Sequence, residues 1–165
     1  MAITLHPDGK VTGNDLIVAG YGAFRSHRNG NQTLNHNTHT TVIFDVEEFD
    51  IKGWYDHTTG KYTPQVAGYY YVYAHCYGYN YNGLSIEFST RLYKNEDLAG
   101  YTYAGYNSNY GGAMGSNASD VIQMNGTTDY IRVGAYQYTS DSSNDNLYGG
   151  QTGATIFTGH LVQAT

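Results

Sequence analysis

The run of residues 68–81, Gly-Tyr-Tyr-Tyr-Val-Tyr-Ala-His-Cys-Tyr-Gly-Tyr-Asn-Tyr, constrains the fold more than any other part of the chain. Side chains of a β-strand point alternately to its two faces. As a strand, this run puts Tyr69, Tyr71, Tyr73, His75, Tyr77, Tyr79 and Tyr81 on one face, and Tyr70, Val72, Ala74, Cys76 and Gly78 on the other. Tyr and Val favour strands, and Gly is a poor helix residue. Alternation with period 2 recurs along the chain, and no segment carries a clear apolar period of 3.6 residues.

The remaining strand signals are shorter. Ile3-Thr4-Leu5 and Lys10-Val11-Thr12 flank a Pro7-Asp8-Gly9 turn and predict a small hairpin. Residues 16–19 lead into a first body strand at Gly22-Ala23-Phe24-Arg25, and 29–39 reads as a polar loop. Residues 41–49 alternate, with Val42, Phe44 and Val46 opposite Thr41, Ile43, Asp45 and Glu47. Trp54-Tyr55 and Lys61-Tyr62-Thr63 flank a turn at His57-Thr58-Thr59-Gly60. Residues 84–93 turn Leu84, Ile86, Phe88, Thr90 and Leu92 inward and Ser85, Glu87, Ser89 and Arg91 outward, and a turn follows at 94–97. Residues 99–115 read as a Tyr-Gly-Asn loop or irregular edge, 118–124, 130–138 and 155–162 as strands, and 140–146 as a polar loop. Many short strands separated by turns predict an all-β, two-layer antiparallel sandwich or barrel.

The strand at 84–93 has one polar face, as expected with water on one side. Those at 69–79, 130–138 and 155–162 are apolar or aromatic on both faces. A two-layer sandwich covers only one face of each sheet. The second face then calls for another cover, and a like subunit is the simplest one. Tyr69, Tyr71, Tyr73, Tyr136 and Tyr138 are the expected contact residues.

The chain has 165 residues, the length of one domain. Its net charge is −6, and its 8 Lys and Arg form no basic stripe, which argues against nucleic acid and an anionic membrane surface. Residues 62–86 and 98–119 lack Asp, Glu, Lys and Arg. Gly, Asn and Tyr interrupt both, so no membrane insertion is expected. No signal peptide is expected in residues 1–15, where His6, Asp8, Lys10 and Asp15 break any apolar stretch. Cys76 is alone, so no disulfide forms within the chain.

Phe44, Asp50, Tyr55, Tyr62 and Gly68-Tyr69-Tyr70 follow one another at intervals of six, five, seven and six positions. This spacing resembles that of the globular head domain of complement C1q and its relatives. Leu92-Tyr93-Lys94-Asn95 stands where the family has a Lys-Asn pair, and Phe157-Thr158-Gly159-His160-Leu161 is similar to its closing strand. The resemblance covers about residues 21–162 and leaves residues 1–20 as an N-terminal arm or hairpin that docks to other proteins. It implies a jelly roll of about ten strands, shared with the tumour necrosis factor fold and assembled as a homotrimer around its inner sheet. It also implies a non-enzymatic, ligand-binding role with no required cofactor. The chain departs from the pattern at Tyr62, where Phe is usual, and at Val72 and Ala74, where aromatics are usual. Its turn at 125–129 is slightly long, and it has no collagen-like Gly-x-y repeat.

The opening Asp8-Gly9-Lys10-Val11-Thr12-Gly13 resembles a motif common in bacteriophage fibre and virion surface proteins. It points to a virion surface module assembled in the host cytoplasm: a fibre tip, a receptor-binding knob or a capsid decoration. The alternatives are a purely structural trimer that stabilises a capsid and a secreted ligand of the C1q or tumour necrosis factor type. Three Asn-x-Ser/Thr triplets, beginning at Asn31, Asn117 and Asn125, are expected by chance in an Asn-rich chain.

No phosphate loop, dinucleotide fingerprint or nucleophile elbow is present. Cys76, in mid-strand, reads as an inert apolar residue. His36 and His39 offer two ligands where zinc takes three or four. The loop Asp141-Ser142-Ser143-Asn144-Asp145-Asn146 offers hard oxygen ligands for calcium, chiefly Asp141 and Asp145. Tyr101, Tyr103, Tyr106, Asn107 and Tyr110 form the candidate ligand surface, where aromatic rings would stack on a host glycan.

Overall fold

The computed structural model describes residues 4–5, 11–12, 21–80, 85–105, 112–150 and 153–165. Residues 16–19 and residues Tyr81 and Leu84 lie outside the described residues. Strands β1 (Thr4–Leu5) and β2 (Val11–Thr12) pair antiparallel, Leu5 opposite Val11, as the expected hairpin.

The body strands are, in chain order, β3 (Phe24–His27), β4 (Gln32–Leu34), β5 (Thr38–Thr41), β6 (Val46–Asp50), β7 (Tyr55–Asp56), β8 (Lys61–Tyr62), β9 (Ala67–Asn80), β10 (Ser85–Lys94), β11 (Asp97–Gly105), β12 (Gly112–Asn125), β13 (Ile131–Thr139), β14 (Asp145–Leu147) and β15 (Ile156–Ala164). They form two antiparallel sheets, and no helix occurs among the described residues. In the seven-stranded sheet β9 is the spine. Strand β12 pairs along its whole length, and β15 and β14 share its other edge. Strands β3 and β6 follow beyond β15, and β4 beyond β14. In the six-stranded sheet β13 lies between β10 on one edge and β5 and β8 on the other, with β11 outside β10 and β7 outside β8.

Three expectations are corrected. Residues 29–39 are not one loop: they contain β4 and the start of β5, which belong to different sheets, and the chain crosses the sandwich through Asn37 at φ 52°. Short polar strands give no hydrophobic alternation to read. Residues 41–49 bury Val42 and Phe44 as the alternation requires, but they are not one strand, because the chain crosses back between β5 and β6. Residues 99–115 hold most of β11 and the start of β12. Gly and Asn make this stretch look like a turn, yet backbone pairing with β10 and β9 makes it sheet. These crossing strands bring the body to thirteen strands among the described residues, where about ten were expected.

Between the sheets lies an aromatic core. Phe24 stacks on Tyr62 at 4.2 Å and meets Phe157 edge-on at 4.8 Å, while Tyr62 meets Tyr70 edge-on at 6.0 Å. Burying each such ring contributes about 1.5–3 kcal/mol. A buried phenol needs a partner. The Tyr55 hydroxyl donates to the Phe44 carbonyl at 3.3 Å, Tyr62 donates to the Gly22 carbonyl at 2.8 Å, and Tyr70 donates to the Val66 carbonyl at 2.9 Å. Burial pushes the Tyr70 phenol up to about 12, and Tyr55 and Tyr62 are pushed up further. Asp50 closes the turn after β6 by accepting from the backbone N–H groups of Lys52, Gly53 and Tyr55 at 3.2, 2.9 and 2.7 Å.

Gly68 and Gly159 mark close approaches of β9 and β15. A β-carbon at Gly68 would collide with the Gln163 carbonyl, and one at Gly159 would sit 2.9 Å from Val72 Cγ1. Asn95 ties two turns together. Its amide donates to Asp129 at 3.2 Å, its carbonyl oxygen accepts from the Tyr130 N–H at 3.1 Å, and Lys94 pairs with Asp129 at 2.9 Å. The motif spacings are therefore the spacings of one core and the turns that close it.

Candidate functional site on the two outward sheet faces

The outward face of the seven-stranded sheet is centred on β9. Tyr70, Val72, Ala74 and Cys76 are fully buried beneath it, and Tyr69 and Tyr71 are 39% and 37% exposed. Register places Val121 of β12 and His160 of β15 on either side of Tyr71. Tyr73 lies between Ser119 and Thr158. Val121 and Leu98 stand out, 52% and 47% exposed, where β11 and β12 meet at the open edge of the sandwich. The only side-chain ring contact of Tyr71 among the described residues is with His160, at 5.8 Å.

Tyr136 and Tyr138 do not join this face. Both lie on β13 in the other sheet, opposite Ser89 and Glu87 of β10, so the five expected contact residues divide between opposite sides of the sandwich. Both outward patterns contain alternating Tyr, and period 2 alone does not tell one sheet from the other.

The six-stranded face is built differently. Arg91 lies with its guanidinium carbon 4.9 Å from the Tyr136 ring and 5.6 Å from the Tyr101 ring. Its Nε donates to Ser89 Oγ at 3.1 Å, and a terminal nitrogen donates to His39 Nε2 at 3.3 Å. The His39 ring lies 4.9 Å from that of Tyr136, and His36 lies 4.9 Å from Tyr138. Arg132 sits 4.0 Å over Tyr93 and donates to Glu96 at 2.8 Å, and Lys61 sits 4.0 Å over Tyr130. Burial, with Arg91 and Arg132 nearby, holds His39 below its ordinary value, so its imidazole is neutral at pH 7. Sequence reading missed this cluster because His39 was assigned to a loop. The polar outward positions of 84–93 were the available signal.

Of the expected ligand surface, Tyr101 is 61% exposed on β11. Tyr103 is placed by its backbone alone, opposite Ser89, and Tyr106, Asn107 and Tyr110 lie outside the described residues. The expected calcium loop does not converge. Asp141 is exposed, accepts from the Ser143 N–H at 3.0 Å and is held below the usual carboxylate range by Ser143. Asp145 is buried on β14, opposite Leu34. Asn144 Oδ1 accepts from the His36 N–H at 2.9 Å, and the Ser143 carbonyl accepts from Gln137 and Thr139. Asn144 Oδ1 and the Ser143 carbonyl are thus engaged in closing the sandwich end, while Ser143 Oγ is buried without a hydrogen-bond partner. Among the described residues no three His, Cys, Asp or Glu come together for a metal. Cys76 is buried between the sheets, where burial pushes its thiol up to about 12, so it is protonated at neutral pH. No helix among the described residues is long and apolar enough to cross a membrane.

The aromatic core, the closing β15 and the Lys94-Asn95 turn coincide with a known family pattern, and the C1q domain profile matches residues 23–162. The chain belongs to the C1q family. Its C1q fold is shared by the globular domain of zebrafish complement 1qA, with TM-score 0.62 and 15% identity over 87% of this chain and 99% of that one. Murine APRIL at pH 5.0 is similar with TM-score 0.64 and 8% identity, over 85% and 98% of the two chains. Eiger TNF from S. frugiperda is similar with TM-score 0.57 and 13% identity, over 87% and 93%. No curated protein matches the sequence. At these identities the likeness concerns the fold. Where C1q domains commonly carry Phe, Tyr62 keeps the ring in the core and gives its hydroxyl a partner in the Gly22 carbonyl.

Proposed function

We propose that this C1q-family chain is a non-enzymatic homotrimeric module on the surface of a bacteriophage particle, with the seven-stranded sheet turned to the threefold axis and the six-stranded sheet turned outward to host glycans. The observation that carries the assembly is the face of exposed Tyr69 and Tyr71 and half-buried Tyr73 on a strand that is fully buried on its other side. A threefold contact joins two different patches head to tail. The tyrosine face, with Val121 beside Tyr71, supplies one patch, and the apolar edge marked by Leu98 supplies the other. The phage setting rests on the Asp8–Gly13 motif, and the hairpin of β1 and β2 is then the arm that docks to other virion proteins.

A second reading, a secreted ligand of C1q or tumour necrosis factor type, is favoured by the names of the similar structures, complement 1qA, APRIL and Eiger TNF. Antibody labelling of intact particles separates the two. Label on a tail tip or on the head supports the virion module and says which kind it is. Unlabelled particles, with the protein free in the medium, support the ligand.

A further inference from the structure

The outward face of the six-stranded sheet carries a cation set among aromatic side chains, on the side of the sandwich away from the proposed trimer contact. Four strands supply it: Arg91 from β10, Tyr101 from β11, Tyr136 from β13, and His39 from β5. Register explains why the guanidinium lies along the sheet. Arg91 is opposite Gly134 on one side and Tyr101 on the other, and Ser89, two residues back, is opposite Tyr136. The Tyr93 ring fills the space over Gly134, and the small Ser89 leaves room on the other side for the Arg91 side chain to lie down, where Ser89 Oγ and His39 Nε2 hold two of its nitrogens at 3.1 and 3.3 Å.

The third nitrogen, Nη2, is only loosely engaged among the described residues. Glu87 Oε1 is 3.9 Å away, beyond hydrogen-bond distance. Arg132, the neighbouring arginine, is already matched by Glu96 at 2.8 Å. Arg91 is thus a fixed planar cation with donor capacity left, beside Tyr101, which is 61% exposed. A planar guanidinium matches a carboxylate through paired hydrogen bonds, and exposed ring faces match the C–H face of a sugar. The net charge of −6 gives no general attraction for a polyanion, so a ligand with a single acid and a ring to stack fits better than a nucleic acid or a long anionic chain.

We propose that Arg91, cradled by His39, Tyr136 and Tyr101, binds the carboxylate of an acidic sugar whose ring lies against Tyr101. This rests on the reading of the outward face as a glycan-binding surface and names the class of glycan. The test is a titration of the full chain with oligosaccharides ending in N-acetylneuraminic acid or containing hexuronate, each beside its carboxyl-reduced counterpart. At least one acidic member binds, and reducing its carboxyl weakens binding roughly tenfold or more, the scale of a hydrogen bond to a charged group. Arg91→Gln loses binding to the same extent. Arg91→Lys keeps the charge without the fork and binds between the two. Tyr101→Ala, at an exposed position where folding is not at stake, also weakens binding. If no acidic member binds, if acidic and reduced forms bind alike, or if folded Arg91→Gln binds as the parent does, the proposal is overturned. Light scattering on the same sample reads assembly separately: a monomer that binds acidic sugar overturns the trimer and supports this site.

Discussion

The two outward faces of the sandwich are both rich in tyrosine and are satisfied in opposite ways. On the six-stranded face, Tyr93, Tyr101, Tyr130 and Tyr136 each lie under a cation at 4.0–5.6 Å, and Tyr136 and Tyr138 also meet a histidine ring. On the seven-stranded face, among the described residues, no cation lies over Tyr69, Tyr71 or Tyr73. The cause is in the sequence. Strand β9 falls within residues 62–86, which contain no Lys, Arg, Asp or Glu, whereas β10 and β13 carry Glu87, Arg91, Lys94 and Arg132. A tyrosine face with charges in reach has its rings partnered by cations of the same chain and leaves only a small opening, at Arg91 and the exposed Tyr101, for a ligand. A face without them has ring area and hydroxyls to offer to another surface.

Changes that separate the faces sharpen this comparison, and the largest effect is expected beneath both. Phe157→Ala removes a ring that touches Phe24, Phe44 and Tyr55. It should cost about 3–5 kcal/mol in denaturant unfolding, in one transition, since the faces share one core. Separate transitions for the two sheets would break the picture.

Next is Tyr71→Asp, which places an unpaired charge at the centre of the seven-stranded face. It should weaken association by about 3–5 kcal/mol, read as dissociation on dilution with the circular dichroism of the fold retained. Tyr138→Asp on the other face should leave the mass unchanged. The opposite pattern would invert the assignment of the faces. Arg132→Ala should cost about 0.5–1 kcal/mol of stability through loss of its contact with Tyr93, without altering mass.

The smallest expected effect is on acid stability. Thr58 and Thr59 donate hydrogen bonds to Asp56 and hold its carboxyl at about 2, while Tyr130 and Arg132 pull Glu96 down and Lys94 pulls Asp129 down. A depressed carboxylate stabilises the fold above its unfolded value and loses that contribution as pH falls towards its folded one. Melting temperature should therefore drop from about pH 4 to pH 2, and the drop should be shallower in Asp56→Asn. All three groups belong to the six-stranded sheet or its turns, and β9 carries no carboxylate, so Tyr71→Phe should leave the slope alone.

Strand β9, its two faces and the aromatic core were legible because alternation in a long strand is strong and the family spacing coincides with ring-to-ring contacts. The crossings at Asn37 and between β5 and β6 were not, since which sheet a short strand joins is set by partners far along the chain. The Arg91 cradle was half legible. The outward position of Arg91 follows from alternation, but its neighbours Tyr136 and His39 come from strands 45 and 52 residues away in sequence and meet it only through β-sheet register. For the same reason Tyr136 and Tyr138 were grouped with the β9 face: their alternation is alike and their pairing is not.

The central claim, that the β9 tyrosine face is covered by like subunits, is tested most directly by the native mass from light scattering over a dilution series. The expected result is three times the chain mass of 18.2 kDa, holding to submicromolar concentration and lost in Tyr71→Asp. A chain that scatters as a monomer of 18.2 kDa at every concentration would contradict it, and the tyrosine face would then have to be met by something other than its own copies.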